Sequence, residues 1–146
     1  MHRSLAGLLI LSATFFSQHA LARDTEYHLK IEEAMRDPNY RKLGKDVVFF
    51  FGTENTPAID QSFGEFVTNK KTNSFSRSDL DACRWVMLSA LLELRERTLE
   101  MGGDAVVNIV SYYKKNVVAS KTDYECHAGD VIAGVTLKGD VVKLKN

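Results

Sequence analysis

The sequence predicts an α+β fold in which one long helix packs on a mainly antiparallel sheet, with a short helix near the N-terminus. A single long segment has the apolar spacing of a helix. Several strand-like runs follow it, and turn residues separate them. Their close spacing along the chain favours an antiparallel meander over β-α-β crossovers.

The N-terminus has the pattern of a cleavable signal peptide. Arg3 precedes an apolar run over residues 5–16, and Ala20 and Ala22 supply the small residues that signal peptidase reads. We predict a signal peptide over residues 1–22, cleavage after Ala22, and one domain over residues 23–146 in the periplasm. The run is shorter than the roughly 20 residues that span a bilayer, so no membrane span is expected. No cysteine lies near the cleavage site, and we expect no lipid anchor.

Charge excludes one class of partner. The chain contains 19 Lys and Arg residues and 19 Asp and Glu residues, and it therefore lacks the basic excess of nucleic-acid-binding domains. We do not expect nucleic acid as a partner.

In the first half of the domain the elements are short. Residues 29–35 predict a small amphipathic helix that ends before Pro38, because proline restricts the residue before it. Residues 47–51 are β-branched and aromatic and predict a strand. Residues 63–67 predict a second strand, and the polar residues 68–76 predict a loop.

The long helix is the strongest element. Ser78 with Asp81 resembles a capping box, and the helix should end near Met101, where Gly102 and Gly103 favour a left-handed cap. One apolar stripe contains Cys83, Val86, Met87, Ala90, Leu91, Leu94 and Met101.

A second apolar stripe lies on the opposite side of this helix. It contains Trp85, Leu88, Leu92 and Leu99. One interpretation is that the N-terminal segment covers it, notably residues 47–51. The other is a candidate interaction surface for another envelope protein or for self-association.

After the helix, the sequence predicts four strands. They cover residues 105–113, residues 117–120 with a possible extension to Tyr124, residues 131–137 and residues 141–144. Residues 114–116 and 138–140 have the composition of turns.

Export determines how the two cysteines are interpreted. Cys83 and Cys126 both lie in the predicted mature domain, and an even pair in an oxidising compartment most simply forms a disulfide.

No residue set stands out for catalysis. The sequence has neither a G-x-S-x-G motif nor a P-loop, and we expect no enzymatic activity, no catalytic residues and no cofactor. A metal site is not expected, because Cys126 and His127 are adjacent and would point to opposite faces of a strand. A small-ligand or metal site that uses His127, Glu125 and the tyrosines stays open as an alternative, and so does an unrecognised hydrolase.

Four segments carry a resemblance to a known family. They are residues 65–73, 83–95, 102–109 and 124–129. Together they resemble a group of small secreted proteobacterial proteins that are commonly labelled "excinuclease ATPase subunit". The missing nucleotide-binding loop and the leader argue against the activity in that label.

More distantly, the helix and the Gly-Asp-Ala-Val-Val run resemble the domain of the Rcs envelope-stress lipoprotein sensor and its uncharacterised cytosolic relatives. Cys83 and Cys126 match the two positions of a disulfide in that sensor, so the resemblance also implies their pairing. The chain lacks the sensor's lipid-bearing cysteine and its second disulfide. The resemblance and the export signal favour a non-enzymatic, periplasmic protein-interaction module of the cell envelope, with a role in stress as the implied expectation.

Overall fold

A computed structural model describes residues 21–53 and 56–146 of the chain. Most of the predicted signal peptide, residues 1–20, lies outside these described residues. In the described part the chain is α+β, as predicted. One long helix packs on a curled, mostly antiparallel sheet of six strands.

The elements follow each other in a mixed order. The strands are β1 (Thr25–Lys30), β2 (Val48–Phe51), β3 (Ile59–Asn73), β4 (Ala105–Ser111), β5 (Asp123–Ala128) and β6 (Ile132–Leu144). The α-helices are α1 (Ile31–Met35) and α2 (Asp79–Glu100), and 3₁₀ helices cover Pro38–Leu43 and Tyr113–Lys115.

Strand β6 is the centre of the sheet. Along its whole length it pairs antiparallel with β3, from Asn73 opposite Ile132 to Ile59 opposite Leu144. Its other edge pairs first with β5 and farther along with β4. Strand β1 extends the sheet beside β5, and β2 extends it beside β4.

The long helix matches its prediction at both ends. The Ser78 hydroxyl accepts a hydrogen bond from the Asp81 amide at 3.1 Å and caps the first turn. At the other end the Gly103 amide donates to the Thr98 carbonyl, and Gly102 has a left-handed φ of 80°. This is a Schellman cap, which satisfies carbonyls that the helix itself leaves unpaired.

Two predicted features of the C-terminal half are wrong. Residues 138–140 are not a turn, because β6 continues through them as one strand. Residues 117–120 form no regular strand either, since Val118 makes only an isolated bridge to Ser111.

Three further expectations need correction. Residues 68–73 are not a loop but the end of β3. Exposed polar side chains alternate there with more covered ones, and Thr68 is buried. The weakly patterned N-terminal segment contains the unpredicted strand β1. The strands after α2 lie in the order β5, β6, β4 and so do not form the predicted meander, although the sheet is mainly antiparallel as predicted and only β2 pairs in parallel, with β4.

Candidate metal centre

Strands β1 and β5 bring metal-ligating side chains onto one face of the sheet. Their antiparallel register places Glu26 opposite His127 and His28 opposite Glu125. Because side chains alternate along a strand, these four residues share a face. The residues between them point the other way, and Cys126 lies in the core beneath α2.

Three of these residues form a cluster that suits a metal ion. Glu26, His28 and Glu125 each offer one ligand atom, and the three atoms lie within 4.8 Å of one another. Nε2 of His28 lies 2.7 Å from Oε1 of Glu26. The side chains of Glu26 and His28 are about half exposed, so the site opens to solvent.

The third residue of this cluster carries a buried carboxylate. The Glu125 side chain is only 6% exposed, and its Oε1 lies 2.6 Å from Nε2 of His127. Its backbone amide donates to the Ser111 hydroxyl at 2.9 Å, which fixes this part of β5 against the end of β4. A buried carboxylate is costly unless hydrogen bonds or positive charge compensate for its lost hydration.

His127 links this carboxylate to a second group of contacts. Its other ring nitrogen, Nδ1, lies 3.2 Å from Oδ1 of Asp24. The Tyr113 ring stacks on the imidazole at 3.4 Å between centroids, and its hydroxyl donates to Asp24 at 2.9 Å. Burial and the Asp24 hydrogen bond raise the pKa of Tyr113, so its phenol stays a donor. These contacts leave His127 little freedom to rotate.

The ligand chemistry favours a divalent transition metal. Imidazole and carboxylate together suit ions such as Zn²⁺, whose ligand atoms lie about 2.0–2.2 Å away. Around one ion such atoms are about 3.5 Å apart. Because the Glu26 and His28 atoms are only 2.7 Å apart, these exposed side chains must separate slightly to admit an ion. His127 would not contact the ion itself. It would orient the Glu125 carboxylate through a hydrogen bond, as residues around metal ligands commonly do.

Sequence reasoning found only the β5 half of this cluster. It named Glu125 and His127 as an alternative site, and its argument that Cys126 and His127 face opposite sides is confirmed. It missed Glu26 and His28 because it missed β1. The signal was present, since residues 26–29 alternate polar and apolar as strand residues do.

The cysteines form the predicted disulfide. Cys83 on α2 and Cys126 on β5 are bonded, with their Cα atoms 5.9 Å apart, and both residues are fully buried. No thiol is therefore left in the chain to serve as a metal ligand.

The second stripe of α2 divides into covered and exposed residues. Leu88 is 2% exposed, and Leu92 is half-buried against the main core. Trp85 and Leu99 are 39% and 41% exposed. The segment that packs on this side includes the 3₁₀ helix Pro38–Leu43, whose Tyr40 hydroxyl donates to the Arg84 carbonyl. Lys42 places its Nζ 5.0 Å from the centre of the Trp85 ring.

Among the described residues, no helix has both the length and the apolar character needed to cross a membrane. Comparison with protein-family models, with curated proteins and with solved structures finds no match to this chain.

Proposed function

We propose that this protein is an exported, non-enzymatic binding protein of the cell envelope that holds one divalent transition metal ion at Glu26, His28 and Glu125. The observation that carries the proposal is the convergence of the three ligand atoms within 4.8 Å, one of them on a buried carboxylate. The local charge also favours a cation, because Asp24 adds a third carboxylate beside the two imidazoles.

Each residue has a distinct role in this proposal. Glu125 is the fixed ligand, held by Ser111 and His127. His28 and Glu26 bind the ion from strand β1. Because both side chains are about half exposed, the bound ion can exchange with ions in solution. His127 positions Glu125 through the contact between Nε2 of its ring and the carboxylate.

Two further observations support the export part of the proposal. The N-terminal sequence has the pattern of a signal peptide. The only two cysteines form a buried disulfide, which is typical of proteins in oxidising compartments.

Calorimetric titration with Zn²⁺, together with native mass spectrometry, tests the proposal. We expect one bound ion per chain. Glu125→Gln and His28→Ala should each weaken binding by more than about 100-fold, because each removes a ligand. His127→Asn should weaken it by about 10- to 100-fold, as loss of an outer partner does.

The matched control is Glu33→Gln, which changes an exposed glutamate of α1 outside the cluster. It should bind Zn²⁺ like the unaltered protein. Equal affinity in the Glu125→Gln and Glu33→Gln variants, or no binding by the unaltered protein, would refute the proposed site.

An interaction with another envelope protein is the second candidate function. Exposed Trp85, with Lys42 above its ring, favours this possibility, because aromatic residues are enriched at the centres of interfaces. A pull-down from periplasm with the unaltered protein and a Trp85→Ala variant tests it. The candidate predicts a specific partner that the variant loses, and recovery of the same proteins by both would contradict it.

A further inference from the structure

A cleft lies on a part of the molecule that shares no residue with the proposed metal cluster. It has a volume of about 540 Å³ and lies between α1, the 3₁₀ helix Pro38–Leu43 and β2. Its apolar lining consists of Met35, Pro38, Leu43, Val47, Val48 and Phe49. Met35 and Val48 are 41% and 47% exposed, so part of this apolar surface is in contact with solvent.

The rim of the cleft is cationic. Arg36, Arg41 and Lys45 line it, against one carboxylate, Asp37. Arg36 pairs with Glu32, but Arg41 and Lys45 make no ion pair with any residue that the structure describes. The Asp37 carboxylate accepts hydrogen bonds from the Asn39 amide and side chain, as a helix cap does. The two cations are therefore available to an anion.

We propose that this cleft binds a single-chain anionic amphiphile, namely a long-chain carboxylate. The apolar lining takes the alkyl chain, and Arg41 and Lys45 meet the carboxylate at the rim. The volume falls within the range of about 300–1,000 Å³ that is typical of small-ligand sites. The apolar lining favours an alkyl chain and the cationic rim favours a carboxylate, and a long-chain carboxylate carries both. The inference goes beyond the proposed metal function and does not depend on it.

Calorimetric titration with dodecanoate below its micelle concentration tests the inference. We expect one molecule to bind per chain. Decanoate should bind about tenfold more weakly than dodecanoate, because two fewer methylenes are buried. Dodecyltrimethylammonium has the same chain with a cationic head, and it should not bind measurably.

Two variants separate the parts of the cleft. Arg41→Gln with Lys45→Gln should weaken dodecanoate binding about tenfold. Val48→Asp should abolish it, because the exposed lining then carries a negative charge. Lys145→Gln is the control, since Lys145 lies outside the cleft. Circular dichroism of each variant establishes that the fold is retained.

Three results would overturn the inference. The first is equal dodecanoate binding by the double variant and the Lys145→Gln control. The second is binding to vesicles of anionic lipid without any binding of free dodecanoate, which would identify a membrane surface instead. The third is a dimer in solution that Val48→Asp converts to a monomer, which would assign the cleft to a second copy of this chain.

Discussion

At the scale of single residues, Asp79 is the acceptor of a compact set of hydrogen bonds. Its carboxylate accepts hydrogen bonds from the Arg23 guanidinium at 2.7 and 3.1 Å and from the Tyr27 hydroxyl at 2.7 Å. The Arg23 hydrogen bonds, followed by that of Tyr27, lower the pKa of Asp79 to about 2 from its ordinary value of 3.8. Arg23 also donates to Asp130, and it therefore ties the segment before β1 both to the start of α2 and to the connection between β5 and β6.

This contact makes stability depend on pH. A carboxyl whose pKa is lower in the folded state stabilises the protein above the unfolded pKa, and its contribution is lost as the pH falls through the folded pKa. Asp79→Asn should therefore be less stable than the unaltered protein at pH 6, and the gap should close between about pH 4 and pH 2. Urea unfolding at pH 6, 4 and 2.5 measures this.

Asp60→Asn is the control for that series, because Asp60 is an exposed aspartate in β3. It should differ little from the unaltered protein at any of the three pH values. A difference between Asp79→Asn and the unaltered protein that stays constant down to pH 2.5 would show that Asp79 is not the titrating group.

At the scale of elements, glycine explains why β6 runs on where the sequence predicts a turn. A Cβ atom on Gly139 would lie 2.8 Å from Cγ1 of Val106 and 3.1 Å from Cγ1 of Ile109. The glycine therefore allows β4 to pack closely on β6, beside the irregular pairing between Val107 and Val110. Gly134 on the same strand has no such crowding, since its nearest contact would be at 3.5 Å.

The same substitution should therefore destabilise the protein at one of these glycines and have little effect at the other. Gly139→Ala should lower the free energy of unfolding by about 1–3 kcal/mol, because a methyl group must be forced between packed side chains. Gly134→Ala should change it by less than about 1 kcal/mol. Urea denaturation of both variants measures the difference, and equal effects would contradict the packing argument.

Elements whose signal is local were predictable, and those that depend on distant partners were not. Ser78 and Gly102 mark the ends of α2 in the sequence itself. The parallel pairing of β2 with β4 depends on residues far apart in the chain, which no local pattern encodes. The metal cluster was half predictable for the same reason, because only the register of β1 on β5 brings His28 to Glu125.

At the scale of the whole molecule, the disulfide joins the two layers of the fold. It connects α2 to β5 and closes a loop of 43 residues. Strand β5 carries Cys126 on its inner face and, on its outer face, Glu125, the buried carboxylate of the proposed metal site. The disulfide therefore also holds in place the strand that positions Glu125.

Removal of this cross-link should lower stability markedly. The double variant Cys83→Ala with Cys126→Ala should lose about 4 kcal/mol of unfolding free energy, as loop-closure entropy predicts for this separation. Urea denaturation compares it with the oxidised protein, and the oxidised protein treated with a reductant is a further comparison. A loss below about 1 kcal/mol would contradict a structural role for the bridge.

The most direct test of the metal proposal is to observe the two imidazole rings while Zn²⁺ is added. Long-range ¹H–¹⁵N spectra report each ring nitrogen of His28 and His127 separately. We predict a large shift of one His28 nitrogen at one equivalent of Zn²⁺, a smaller change at His127, and neither in the Glu125→Gln variant. Unchanged His28 nitrogens at saturating Zn²⁺, or the same shifts in Glu125→Gln, would contradict the account.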